Sequence, residues 1–211
     1  PSLAAFSRRP GIVHRLDKDT SGIIITAKNR DAEVFLQSEF KNRRVKKEYI
    51  AIVNGHPPAL EGEIKNRLCR SSSNRKRFTV SPDDEAGKFA HTRYRCVGIY
   101  GPYSLMRIRI KTGRTHQIRV HMKHLGCPVL GDCVYGKKDA RFPDVALMLH
   151  AYKLAVRLPP HSLADGSLNP TGIPDTPAVF TAPVPDRFKK VLKVLHAEYR
   201  AEHLASVSSK N

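Results

Sequence analysis

With 211 residues, the chain is long enough for one domain with a real core or at most two small ones. Hydrophobic residues make up 40% and charged residues 27%, an ordinary globular balance, and no apolar run nears the roughly 18 residues of a membrane span. Lys and Arg number 37 against 19 Asp and Glu, and the resulting +18 points to a polyanionic partner, most often nucleic acid.

The N-terminal stretch PSLAAFSRRPGIV has no long apolar segment of the kind a signal peptide needs. HRLDKDTSG, residues 14–22, then gathers acids, bases and hydroxyls in a short loop. The β-branched run GIIITAK predicts a buried strand over 22–28, so Asp17 and Asp19 stand at the mouth of a strand, a common place for chemistry. Residues 29–44 mix apolar and polar positions at helical spacing, with Asp31 as the expected cap. KKEYIAIVNG reads as a strand closed by a turn at Asn54-Gly55. The Ser-rich, basic stretch 67–88 reads as a loop or a pair of short strands. Residues 89–113 alternate cleanly, with Met106, Ile108 and Ile110 inward and Arg107 and Arg109 outward, which predicts a hairpin turning at Gly101-Pro102. THQIRVHMKHLG predicts a helix capped by Thr115 and stopped by Gly126. LMLHAYKLAVRLP reads as a further strand, and residues 185–206 as an amphipathic helix with Phe188, Val191, Leu192 and Leu195 on one face. Strands alternating with helices give a mixed α/β domain around one sheet.

Some chemistries are disfavoured. Cys69, Cys96, Cys127 and Cys133 are scattered with no C-x-x-C, so reduced thiols are expected rather than disulfides or a zinc knuckle. His121 and His124 can share a helix face, but His116 falls elsewhere and no acidic ligand is close, so no metal site is expected. There is no phosphate-binding P-loop and no G-x-G-x-x-G. HRLD shares letters with a protein-kinase catalytic loop, but only 13 residues precede it, too few for a nucleotide lobe.

Two motifs keep their chemical interest. Taken alone, a carboxylate such as Asp17 is more often a cap or an ion-pair partner than a reacting group. In KTGRTHQIRVH, Gly113 permits a tight turn, and the helix start presents free N–H groups to an anion. Arg114 and Arg119 lie five apart and point in different directions, so one can meet phosphate while the other pairs with Asp17. The plain alternative for this motif is a solvated basic helix.

HRLDKDTSG, then KKEYIAIVNG, then GRTHQIRVHMKHLGCPVLGDCVYG, in that order, closely resemble the RluA class of pseudouridine synthases. LMLHAYKLAV and FTAPVPDRF are similar to that family's closing segments, so the resemblance runs from about Gly11 to about Phe188. It implies an α+β fold with a mixed, largely antiparallel central sheet and flanking helices. It also implies a single catalytic domain over 1–211, without the family's upstream Lys-Pro-rich segment and without an S4-type RNA-binding domain. The implied activity isomerises uridine to pseudouridine in RNA, either rRNA or tRNA. No atom enters or leaves, so neither a nucleotide nor any other cofactor is expected. By the same resemblance Asp17 is the catalytic aspartate, Tyr49 packs on the target base, Arg119 pairs with Asp17, and Arg15 lies beside the flipped nucleotide. Asp19, Thr20 and Ser21 shape the loop. RNA contacts are expected from His14, Arg15, Arg114, Arg75, Lys76 and Arg77, with Arg43, Arg44, Lys46, Lys47 and Arg70 as further phosphate candidates. A monomer in the cytoplasm or in an organelle fits these expectations, with RNA as partner and no membrane.

Overall fold

In the computed structural model, residues 11–159 and 176–208 are described; the N-terminal ten, read above for a leader, lie outside them. The strands are β1 (Ser21–Gly22), β2 (Lys46–Asn54), β3 (Glu61–Arg70), β4 (Phe78–Val80), β5 (Lys88–Tyr100), β6 (Tyr103–Ile110), β7 (Leu149–Val156) and β8 (Ala178–Thr181). They form one sheet in the order β1-β7-β2-β6-β5-β3-β4, with β8 also on β7. Every pairing is antiparallel except β1 with β7. The helices are α1 (Arg30–Lys41), α2 (Gln117–His124) and α3 (Asp186–Ser208).

The β5–β6 hairpin follows its alternation. Met106, Ile108 and Ile110 are buried beside Tyr49 and Ala51 of β2, while Arg107 and Arg109 are exposed on the opposite face. The main core joins these side chains to Ile118 and Met122 of α2 and to Phe188, Val191 and Leu195 of α3, with Leu192 partly buried against it. A smaller core packs Leu36 of α1 against Val45, Leu154 and Val156.

Three expectations are corrected. The run at 22–28 is a strand only at Ser21–Gly22. Beyond it, the edge of β7 is taken by β8, which pairs with Lys153–Val156, so the run finds no ladder there. Ile23 and Ile25 still turn into the smaller core, while Ile24 faces solvent at 50% exposure. The α1 cap is Asn29, not Asp31: its side chain accepts from the Ala32 N–H at 2.9 Å, and Asp31 sits in the first turn. At α2, Thr115 caps nothing. His116 occupies the cap position in a left-handed conformation (φ 55), and the Gln117 side chain reaches back to accept from the Arg114 N–H at 3.0 Å. Of the two readings of residues 67–88, the pair of strands holds: the end of the ten-residue β3 pairs with the three-residue β4.

Candidate active site

The loop 14–22 is held from three directions. Asp19 adopts φ 71, and the Thr20 N–H closes a turn on the Asp17 carbonyl at 3.1 Å. Gly22 lies so close to β7 that a Cβ there would fall 2.2 Å from the Ala151 oxygen, at a φ of +117. Arg187, in the first turn of α3, donates to the Asp19 carbonyl at 3.1 Å and to Ser21 Oγ at 2.9 Å. Asp17 is thereby fixed at the wall of a cleft of about 500 Å³.

The cleft is strongly asymmetric in charge. Arg15, Lys41, Arg43, Lys47, Lys111 and Arg114 line it, and Asp17 is its one carboxylate. Tyr49 rises from β2 beside a register shift between Glu48 and Tyr49, an irregularity of the kind that re-aims side chains near active sites. Its ring is buried against Ile118 and Leu149 in the main core, with the cleft beside it. Burial, and then the charge of Asp17, push its hydroxyl well above the usual tyrosine range, so it remains a neutral phenol. Burial also depresses the ammonium of Lys47, and Arg114 adds to the effect. His14 is a wall of the cleft rather than a cation in it. Its Nε2 accepts from the Ile25 N–H at 3.0 Å, its ring stacks on Phe40 at 4.7 Å, and burial, with Lys47 nearby, drops its pKa to about 4.

Arg119 differs from expectation. Its Nε and Nη2 donate to the two oxygens of Asp132, both at 2.7 Å, in a buried bidentate pair. Among the described residues Asp17 has no ion-pair partner, although it lies near enough to act on Arg119 through space. Asp132 also accepts from the Val134 and Tyr135 N–H groups at 2.9 and 3.0 Å. Burial opposes charge on both partners of this pair, and the hydrogen bonds outweigh it: the Arg119 pKa is raised and that of Asp132 lowered. The Arg119 guanidinium also lies over the Tyr135 ring, 5.2 Å from its centroid.

Tyr135 extends this cluster. Its hydroxyl accepts from the Phe78 N–H at 2.9 Å and shares a hydrogen bond with His116 Nδ1 at 2.8 Å. Asp132 and Tyr135 were not candidates from the sequence, and His116 was weighed there only as a metal ligand. Asp132 and Tyr135 sit in GDCVYG, a stretch quoted only as part of the resemblance, and nothing local singles them out. Arg75, Lys76 and Arg77 lie exposed in the β3–β4 turn and do not line the cleft. Among the described residues, no three metal-ligating side chains converge.

The family description RNA pseudouridylate synthase matches residues 2–124, more than half of the chain. This chain belongs to the RNA pseudouridylate synthase family. Within it, the relatives place the chain in the RluA class. Ribosomal large subunit pseudouridine synthase D of Borreliella burgdorferi is 53% identical over 148 residues, which are 70% of this chain and 45% of that protein. RNA pseudouridine synthase 2, chloroplastic, of Arabidopsis thaliana is 41% identical over 64% of this chain and 33% of its own length. The chain spans about half the length, or less, of curated relatives that it matches. Among solved structures, Human RNA Pseudouridylate Synthase Domain Containing 1 aligns with a TM-score of 0.61 at 30% identity, covering 86% of this chain and 79% of that one. Human RNA Pseudouridylate Synthase Domain Containing 4 shares the fold, with a TM-score of 0.68 at 22% identity over 88% and 76%. The pseudouridine synthase fold is therefore an α+β fold built on a mixed, mainly antiparallel sheet, as the resemblance implied.

Proposed function

We propose that this chain isomerises uridine to pseudouridine in RNA, with Asp17 as the reacting carboxylate. The observation that carries the reading is the cleft itself: one carboxylate, next to a buried tyrosine ring, in a wall of six cations. Such a surface attracts a polyanion and leaves a single acidic group to act on it. The Borreliella burgdorferi relative, named for the ribosomal large subunit, makes rRNA the substrate class to assay first.

The reaction breaks the bond from ribose C1′ to N1, turns the base, and joins C1′ to C5. The C5 proton is lost and N1 gains one, so atoms balance without a co-reactant. Asp17 acts as a carboxylate, attacking the ribose or taking a proton from it, and Arg119 lies near enough to act on that charge through space. The detached base is anionic. The cationic wall holds it, while the Tyr49 ring supplies a flat apolar surface on which it turns. As a neutral phenol, Tyr49 is an aromatic surface and a proton donor rather than a ready-made base. Reaching the base requires its extrusion from the RNA stack, at a cost of a few kcal/mol that phosphate contacts offset. Arg15, exposed two residues from Asp17 on the same wall, is the side chain placed to occupy the gap.

The test is tritium release from RNA carrying 5-tritiated uridine, because the C5 hydrogen leaves to solvent. Wild type is expected to release tritium in a single turnover. Asp17→Asn keeps the shape and loses the charge; it is expected to bind RNA and release none. Release by Asp17→Asn at near the wild-type rate overturns the assignment.

A further inference from the structure

A second cavity of about 500 Å³ adjoins the first. Both are walled by Gly113, Arg114 and Thr115, so the loop entering α2 is a partition between them. On the far side stand Arg70, Phe78 and Lys88, with Arg114 the third cation and no carboxylate in the lining. The acids Asp83, Asp84 and Glu85 belong to the exposed loop before Gly87 and do not reach the lining.

The cavity is organised as well as charged. The Arg70 guanidinium lies over the Phe78 ring, 5.3 Å from its centroid, and its Nη1 is tied to the Arg75 carbonyl at 2.9 Å. This is a pre-ordered flat cation of the type that stacks on bases and pairs with phosphate. Arg114 is tied through Nε to the Phe89 carbonyl at 2.9 Å. At the partition, a Cβ on Gly113 would meet nothing nearer than Lys47 Nζ at 3.6 Å, so its crest is bare and a strand can cross closely. Phe78, through its N–H, holds the Tyr135 hydroxyl, and Tyr135 carries Arg119 on its ring; the cavity floor is thus bonded to the cluster behind Asp17.

We propose that this second cavity is a subsite for the RNA strand flanking the target uridine. One nucleotide crosses the Gly113 crest, its phosphate meets Lys88 and Arg114, and its base stacks on the Arg70–Phe78 platform. The volume falls in the range of sites that enclose a small ligand. The inference rests on the reading of the first cleft as the uridine site.

The experiment uses nested oligoribonucleotides around one target uridine, trimmed one nucleotide at a time from each end. Affinity by filter binding and single-turnover tritium release are both measured for wild type, for Arg70→Ala/Lys88→Ala, and for Phe78→Leu. In wild type, removing the flanking nucleotide on one side is expected to weaken affinity about tenfold, the scale of one lost base stack. Arg70→Ala/Lys88→Ala is expected to bind full and trimmed oligonucleotides alike, and Phe78→Leu to show a reduced step. Arg70 and Lys88 are exposed, so their replacement leaves the fold intact, and Arg70→Gln/Lys88→Gln repeats the test with polar side chains. A step that persists undiminished in these variants, or its absence from wild type, overturns the subsite. If wild type shows the affinity step but releases no tritium from any length, the reading of the first cleft falls and the subsite stands as an RNA-binding site alone.

Discussion

Four hydrogen bonds converge on Asp132, a residue with 1% of its surface exposed. Two come from Arg119 and two from backbone N–H groups, so the carboxylate sets where that guanidinium sits relative to Asp17. Removing one partner of a buried pair leaves an uncompensated charge, at a cost of about 3–5 kcal/mol, whereas replacing both with apolar groups is often near neutral. Asp132→Leu is therefore expected to destabilise the fold by that order in urea unfolding. Arg119→Met/Asp132→Leu is expected to recover most of the loss and still fail to release tritium from RNA. Conversion by the double variant at near the wild-type rate removes Arg119 from the proposed mechanism. Glu48 is the contrasting case. It is also buried, but it pairs with two arginines, Arg107 and Arg109, each at 2.7 Å, and these project from the exposed face of the sheet, away from the Asp17 loop.

Elements place these residues by long-range pairing, and that decides what the sequence disclosed. The alternation of β6, the strand character of β2 and β7, and the apolar face of α3 follow from local pattern, and each takes its place in the sheet or core. GIIITAK was legible as a β-branched apolar run but not as a segment with a two-residue ladder, because β8 competes for the same edge from about 160 residues away in the chain. The Arg119–Asp132 pair was hidden similarly, since nothing within α2 marks a carboxylate thirteen residues on as its partner. The Asp17 loop depends on Gly22, where any side chain meets the backbone of β7. Gly22→Ala is expected to lower thermal stability and tritium release together, and an unchanged melting temperature counts against that close approach. Helix α2 supplies a pH-dependent term. Gln117 donates to Thr92 Oγ1 at 2.9 Å, so the Thr92 proton points to His121 Nδ1 at 2.7 Å, and His121 Nε2–H reaches Asn66 Oδ1 at 3.0 Å. Burial, aided by His124 and His91, lowers this imidazole from 6.5 to about 4, and His14 is lowered similarly. The unfolded chain therefore takes up protons that the folded one refuses. Stability from these groups is complete above pH 6.5 and lost as pH falls towards about 4. Urea midpoints across that window are expected to fall with acidity, less steeply in His121→Gln; an equal slope in the variant denies His121 its part.

Over the whole molecule the +18 charge is unevenly compensated. On the open face of the sheet, Arg93 and Lys65 share Glu63, and Arg107 and Arg109 share Glu48. Around the cleft, Arg15, Lys41, Arg43 and Lys111 have no ion-pair partner among the described residues. The unbalanced charge thus gathers where the proposed RNA site opens, and affinity should rest on phosphate neutralisation and counterion release. If about four to six phosphates are contacted, log K falls with log[salt] at a slope of roughly −3 to −4 for single-stranded RNA. Arg75, Lys76 and Arg77 lie outside both cavities, exposed on the β3–β4 turn next to the Arg70 platform. A strand leaving the second cavity past Arg70 meets that turn first. Neutralising all three to Gln should make the slope shallower by about 2 if each contacts one phosphate, and should weaken binding uniformly across RNA sequences. Binding titrations at several salt concentrations, on wild type and the triple variant, measure the difference directly. An unchanged slope would put these three cations on a solvated surface and send the strand out of the cleft on another side.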